Sequence, residues 1–140
     1  MFKRNDDFFS DIIDTQTIFI DMENGLFYLL PLFANLVFKY IINGKTIDEI
    51  AEVMATIPEI PSDYIERIKH VYEKLIEYKL IVDSDVPDKI PEPELTDLII
   101  QELQESDFAY VVEPSADVAK LLLDDPIHDV SLDGWTPVVK

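Results

Sequence analysis

The residues with the clearest chemical potential lie near the C-terminus. Between Asp124 and Trp135 the chain carries four aspartates, one histidine and its single tryptophan. The spacing Asp129-x-Ser131-x-Asp133-Gly134 matches the opening of an EF-hand loop, where oxygen ligands occupy positions 1, 3 and 5 and glycine occupies position 6. The twelfth position of such a loop needs a bidentate glutamate, and here it is Lys140. The sequence therefore argues against a calcium loop.

Two other interpretations of this segment compete. His128 and the nearby aspartates have the chemistry of zinc ligands, but a single histidine is weak support for such a site, and we expect no metal. The segment also has the composition of a docking peptide, because a buried tryptophan is a common interface anchor. The candidate partner-docking residues are Ile127, His128, Val130 and Trp135. The simplest alternative is a tail that folds back on its own core.

Catalytic motifs are missing from the sequence. The two histidines, His70 and His128, belong to no nucleophile motif such as Gly-x-Ser-x-Gly, and three glycines are too few for a phosphate loop. The chain has no cysteine, which excludes thiolate chemistry and disulfides. We therefore expect a protein that is not an enzyme and needs no cofactor.

The charge of the chain excludes several partners. Its 140 residues carry a formal charge of −18, which disfavours nucleic acid and anionic membranes. No apolar run reaches the roughly 20 residues that span a bilayer, and no export signal is evident, so we expect a cytoplasmic protein. Residues 1–81 hold 14 acidic and 8 basic side chains, whereas residues 82–140 hold 15 and 3. The predicted organisation is a domain over 1–82, a proline-rich acidic linker over 83–93 and an acidic, mainly helical extension over 94–140.

The N-terminal domain begins with strand patterns. Residues 17–22 and 26–30 are rich in β-branched and aromatic types, and Asn24-Gly25 between them favours a hairpin in which both turn positions have positive φ. An earlier strand is predicted within 8–13.

Helical spacing then takes over. Pro31 suits the first turn of a helix, Thr46 and Glu49 form a capping box for a second helix, and Ser62 is the expected N-cap of a third that runs to Lys79. Residues 80–82 are interpreted either as a short strand or simply as the exit from this helix.

The extension repeats helical signals. An amphipathic helix is predicted over 94–105, and residues 108–112 read as a strand or docking segment. Ser115 is a candidate cap for a last helix over 116–123.

Together these elements predict an α+β fold, a two- or three-stranded hairpin sheet packed on a three-helix cluster in a winged-helix-like arrangement. The arrangement resembles the PqqD-like family, the recognition elements for precursor peptides of ribosomal peptide maturation. The stretches that carry the resemblance are Asn24-Gly25-Leu26-Phe27-Tyr28-Leu29-Leu30, Asn43-Gly44-Lys45-Thr46-Ile47-Asp48-Glu49-Ile50-Ala51 and Leu75-Ile76-Glu77-Tyr78-Lys79-Leu80-Ile81.

The resemblance implies a peptide-binding accessory protein without catalytic activity. Such proteins capture a leader peptide as an added strand at the hairpin edge, beside the third helix, and present it to a modifying enzyme. We therefore expect the outer edge of strand 26–30 to be unpaired. The candidate peptide-binding residues are Leu26, Phe27, Tyr28, Leu29, Leu30, Ile65, Arg67, Lys69, Tyr72 and Ile76.

Two alternatives remain for such a fold. A winged helix that reads DNA needs a basic third helix, but Arg67, Lys69 and Lys74 share this helix with four carboxylates. The stronger alternative is a structural subunit that docks into a protein complex through its C-terminal tail. Self-association stays open.

Overall fold

A computed structural model describes residues 1–86 and 88–116. Over this part of the chain the fold contains six strands and four helices, which confirms the predicted α+β class. In chain order they are β1 (Phe2–Arg4), β2 (Phe9–Ile12), β3 (Thr17–Asp21), β4 (Leu26–Leu30), α1 (Leu32–Ile42), α2 (Ile47–Met54), α3 (Tyr64–Glu77), β5 (Ile81–Asp83), α4 (Asp97–Glu105) and β6 (Pro114–Ser115).

Helix α1 forms the centre of the core. All eleven of its residues are buried, and it contacts the three other helices as well as β1 and β4. A helix that is apolar almost all round is stable only when other elements cover every face. The extension takes part in that cover, because Leu103, Phe108 and Val112 are buried in the same cluster as the α1 side chains.

The strands form two antiparallel sheets. The larger has the order β2-β3-β4-β6, and the smaller pairs β1 with β5. Strands β2 and β5 confirm the predictions for 8–13 and 80–82. Strand β1 was not predicted, because three residues that pair with a partner almost eighty positions away leave no local signal.

The β3–β4 hairpin differs in its turn from the prediction. Asp21 pairs with Leu26, so the loop has four residues, and within it only Gly25 has a positive φ, of 70°. The Asp21 carboxylate accepts hydrogen bonds from the backbone of Glu23 and from the backbone and side chain of Asn24. The expectation of positive φ at both Asn24 and Gly25 is therefore wrong, and a four-residue loop with one left-handed glycine connects the strands.

The starts of the four helices follow the sequence to different degrees, and Pro31 lies at the N-cap of α1 rather than in its first turn. The Thr46 hydroxyl accepts from the Glu49 backbone at 3.2 Å, and the Glu49 carboxylate accepts from the Thr46 backbone at 2.8 Å, which confirms the capping box. Helix α4 begins after Thr96, inside the range predicted for it. The predicted Ser62 cap is wrong, since Asp63 occupies the N-cap of α3 and its carboxylate accepts from the Arg67 side chain instead.

A buried polar network fastens α1 to the loop between β2 and β3. The Thr17 hydroxyl donates to the Asn35 side-chain oxygen at 2.6 Å, and the Asn35 amide donates to the carbonyls of Ile13 and Asp14. The Lys39 ammonium donates to the same Ile13 carbonyl at 3.0 Å. Burial lowers the pKa of Lys39, and the charge of Asp14 opposes that shift.

The acidic linker is fastened to the sheet of β1 and β5. Asp88 accepts two hydrogen bonds from the Arg4 guanidinium, at 3.0 and 3.1 Å, and one from the Arg4 backbone at 2.8 Å. Burial alone would raise the pKa of Asp88, but the hydrogen bonds and charge of Arg4 outweigh it, so this pKa lies below its ordinary value. The linker therefore has a fixed contact at its midpoint.

Part of the predicted extension takes another form. Residues 108–112 form no strand but dock through the buried Phe108 and Val112, and Ser115 lies in β6. All but the first residue of the helix predicted over 116–123 lies outside the described residues, as does the whole 124–135 segment. Over the described ranges, no helix combines the length and apolarity required to cross a bilayer.

Candidate functional site

The outer edge of β4 carries a strand from the extension. Phe27 pairs with Ser115 and Tyr28 pairs with Pro114, in antiparallel register. The expectation of an unpaired edge is therefore wrong at these two positions. The strand pattern of β6 is too short, and its partner too distant in sequence, for the sequence to reveal this pairing.

The direction of the bonds follows from Pro114. Antiparallel pairs alternate between those that exchange two N–H···O bonds and those that exchange none. Proline has no N–H, so Tyr28–Pro114 is the pair without hydrogen bonds, and Phe27–Ser115 is the pair that exchanges both. By the same alternation, the N–H groups of Phe27 and Leu29 point toward β6, and that of Tyr28 points toward β3.

The side chains of β4 mostly serve the core. Phe27, Tyr28 and Leu30 are buried, and Leu26 and Leu29 are half-buried. The Tyr28 ring lies 5.2 Å from the Tyr78 ring at the end of α3, and burial, followed by the charge of Asp21, raises the Tyr28 pKa. What β4 offers at this edge is chiefly its backbone.

One face of α3 lies against the extension. Arg67 donates to the carbonyls of Asp107 and Phe108, at 3.3 and 3.0 Å, and its guanidinium lies over the Tyr110 ring. Asp107 and Phe108 both have positive φ, of 57° and 54°, so Arg67 binds a turn whose backbone conformation is rare for residues other than glycine. The Tyr110 ring also meets His70 edge-on, with centroids 5.3 Å apart. Arg67 is thus the one residue predicted on α3 that the structure brings to the segment leading to β6.

The other predicted residues of α3 lie elsewhere. Ile65, Lys69, Tyr72 and Ile76 follow a stripe about half a turn away from Arg67, His70 and Lys74. Ile65 and Ile76 are 37% and 42% exposed, and Tyr72 packs edge-on against Phe2 of β1. Tyr72 and Phe2 line a separate cavity of about 420 Å³ between β1 and the start of α2. The structure therefore does not bring these four residues together with the β4 edge.

A cavity of about 500 Å³ lies where α3 approaches β6. It is lined by His70, Lys74, Tyr78, Glu113 and Pro114, together with Val111 and Val112. The His70 Nε2 atom is buried and has no hydrogen-bond partner within the described ranges. Residues 67, 70, 74 and 78 repeat at helical spacing, which is a sequence signal for this face, but the apolar residues on the opposite face of α3 form a more conspicuous pattern.

The chain matches no family model, and the searches of curated proteins and of solved structures find no similar chain. The resemblance to PqqD-like proteins therefore stays a prediction. The predicted partner-docking residues Ile127, His128, Val130 and Trp135 lie outside the described residues.

Proposed function

We propose that this chain is a non-catalytic peptide-binding accessory protein with a winged-helix-like domain of the PqqD type. It captures the leader of a precursor peptide by strand addition at β4 and presents it to a separate modifying enzyme in the cytoplasm. The observation that carries the proposal is the pairing of β4 with β6. An extended backbone beside α3 already adds to this edge in antiparallel register, so the edge has the geometry that a guest strand requires.

The charge near this edge supports an acidic guest. The protein as a whole carries −18, yet Lys74 lines the cavity beside β6, and Arg67 lies further along the same face of α3. Complementary charge of this kind chiefly gives selectivity and faster association. The Lys74 ammonium already donates to the Glu77 carboxylate at 3.1 Å, so a guest carboxylate at this cavity would share that ammonium with Glu77.

The test is a titration of the full chain with the precursor peptide encoded beside its gene, followed by NMR. We expect saturable binding with the largest amide shifts at Phe27 and Leu29, the two β4 donors that point away from β3. Lys74→Glu is expected to weaken binding roughly fivefold, because it replaces the lysine of the cavity with a negative charge. Lys69→Glu is the matched control, because it changes the net charge equally on the opposite face of α3.

Equal weakening by both variants would show only a general charge effect and would contradict the site. Absence of peptide binding, together with stable co-purification of an enzyme that is lost in Trp135→Ala, would instead favour the structural subunit.

A further inference from the structure

The segment from 107 to 116 has two parts that are held very differently. The first part is anchored, since Phe108 and Val112 are 4% and 1% exposed and Arg67 binds the carbonyls of Asp107 and Phe108. The second part begins at Glu113, where the chain returns to the surface. Glu113 and Pro114 are exposed, and Ser115 is half-buried. The anchored part fixes where the second part must lie.

The second part covers only a fraction of β4. Strand β6 has two residues against five in β4, and the Phe27–Ser115 pair is the only one of its two pairs that exchanges hydrogen bonds directly. A separate peptide could pair along the full length of β4, and each additional strand hydrogen bond adds to its stability. Strand β6 therefore covers the edge but forms fewer hydrogen bonds with β4 than a full-length guest strand would form.

We propose that residues 113–116 are a tethered competitor for the β4 edge, which a guest peptide displaces while residues 107–112 stay anchored. This inference rests on the proposed function and adds its regulation. Because the competitor is tethered, its effective concentration at the edge is high, and the apparent affinity for a guest falls by the fraction of chains whose edge is open. The competitor also indicates the guest's chemistry, an extended strand antiparallel to β4 with a carboxylate at the place of Glu113, which lines the same cavity as Lys74.

The first measurement needs no guest. Ser115→Pro in the full chain removes the N–H that bonds to Phe27 and leaves the anchored part unchanged. We expect hydrogen exchange at the Phe27 amide to become about five- to tenfold faster, while the Tyr28 amide, which faces β3, is unchanged. Ala116→Pro is the matched control, because the N–H at 116 alternates to the side away from β4. Ser115→Ala removes the side-chain hydroxyl but keeps the backbone N–H, so it shows whether the effect of Ser115→Pro comes from the backbone or from the side chain.

The second measurement uses a fluorescent synthetic peptide of residues 111–119 that carries Pro114→Val. We expect it to bind the Ser115→Pro chain about five- to tenfold more tightly than the unsubstituted or Ala116→Pro chains. Faster exchange together with tighter binding supports the proposal.

The remaining outcomes separate the two ideas. Unchanged exchange at Phe27 would overturn the competitor and leave peptide binding to its own test. Faster exchange with equal peptide affinity for all chains would also overturn the competitor, while strand addition would stand. Faster exchange with no peptide bound by any chain would also overturn the competitor, while strand addition would be decided by the titration with the precursor peptide.

Discussion

The guanidinium carbon of Arg67 lies 5.0 Å from the centre of the Tyr110 ring, and the same group donates to two backbone carbonyls of the turn that precedes this ring. One side chain of α3 thus binds both the backbone and an aromatic ring of the extension. Asp63 holds the guanidinium from the other side with a hydrogen bond of 3.0 Å. This arrangement determines the path of the chain toward β6.

Replacing Arg67 should loosen the extension. We expect Arg67→Ala to lower the free energy of unfolding by about 1–2 kcal/mol, because two hydrogen bonds from a charged group and a cation–π contact are lost. Lys69→Ala, on the opposite face, should change it by less than about 0.5 kcal/mol. Urea unfolding of both variants measures the difference, and equal effects would contradict a specific role for Arg67.

The buried network at α1 should depend on Asn35 more than on Lys39. Asn35→Ala leaves the Thr17 hydroxyl without its buried partner, and we expect a loss of about 2–3 kcal/mol in unfolding free energy. Lys39→Met keeps the apolar stem and leaves the Ile13 carbonyl with the Asn35 amide, so we expect a change of less than about 1 kcal/mol. Thermal denaturation measures the stability of both variants. A greater loss of stability in the Lys39 variant would contradict the larger role assigned to Asn35.

The contact between Arg4 and Asp88 should make stability depend on pH in acid. The folded state lowers the Asp88 pKa, so the unfolded chain binds the proton more readily, and the contribution is complete above the unfolded pKa. It is lost as the pH falls through the folded pKa, below the ordinary value near 4. Asp88→Asn should therefore be less stable than the unsubstituted chain at pH 7, by about 1–2 kcal/mol, with the difference narrowing below pH 4. A difference that is constant from pH 7 to pH 2 would show that the charge has no part in it.

The hairpin loop should require a left-handed residue at one position. Gly25 has φ 70° and an added Cβ would meet no atom within 4 Å, so a substitution changes the backbone energy without a clash. We expect Gly25→Ala to cost about 1–2 kcal/mol, and Gly25→Asn clearly less, because asparagine tolerates this conformation. Chemical denaturation of the two variants tests the order, and equal costs would point to an effect other than φ.

Local signals allowed much of the fold to be predicted. The capping box of Thr46 and Glu49, the strands around Gly25 and the helix that follows Pro31 all depend on residues close in sequence. The elements that the sequence did not reveal, β1 and β6, are two or three residues long and pair with distant partners. Their positions depend on tertiary packing rather than on local preference.

The candidate site was harder to predict because α3 has two stripes at helical spacing. Ile65, Tyr72 and Ile76 form an apolar stripe as regular as the one that is buried, which consists of Ile68, Val71 and Leu75. Periodicity alone does not decide which side of a helix meets the sheet. The contacts of Arg67 were equally hidden, since its partners are backbone carbonyls that no side-chain pattern reveals.

The position of Pro114 has a consequence for how copies of this chain meet each other. Since its pair with Tyr28 exchanges no hydrogen bonds, the imide nitrogen of Pro114 faces outward, where it offers no donor to a neighbouring molecule. While β6 is paired with β4, that edge of the sheet resists edge-to-edge pairing with another copy of the chain. When β6 leaves the edge, the N–H groups of Phe27 and Leu29 can bond to any extended backbone, including that of a second copy of the chain. The same short strand that limits peptide capture therefore also protects the protein from polymerisation.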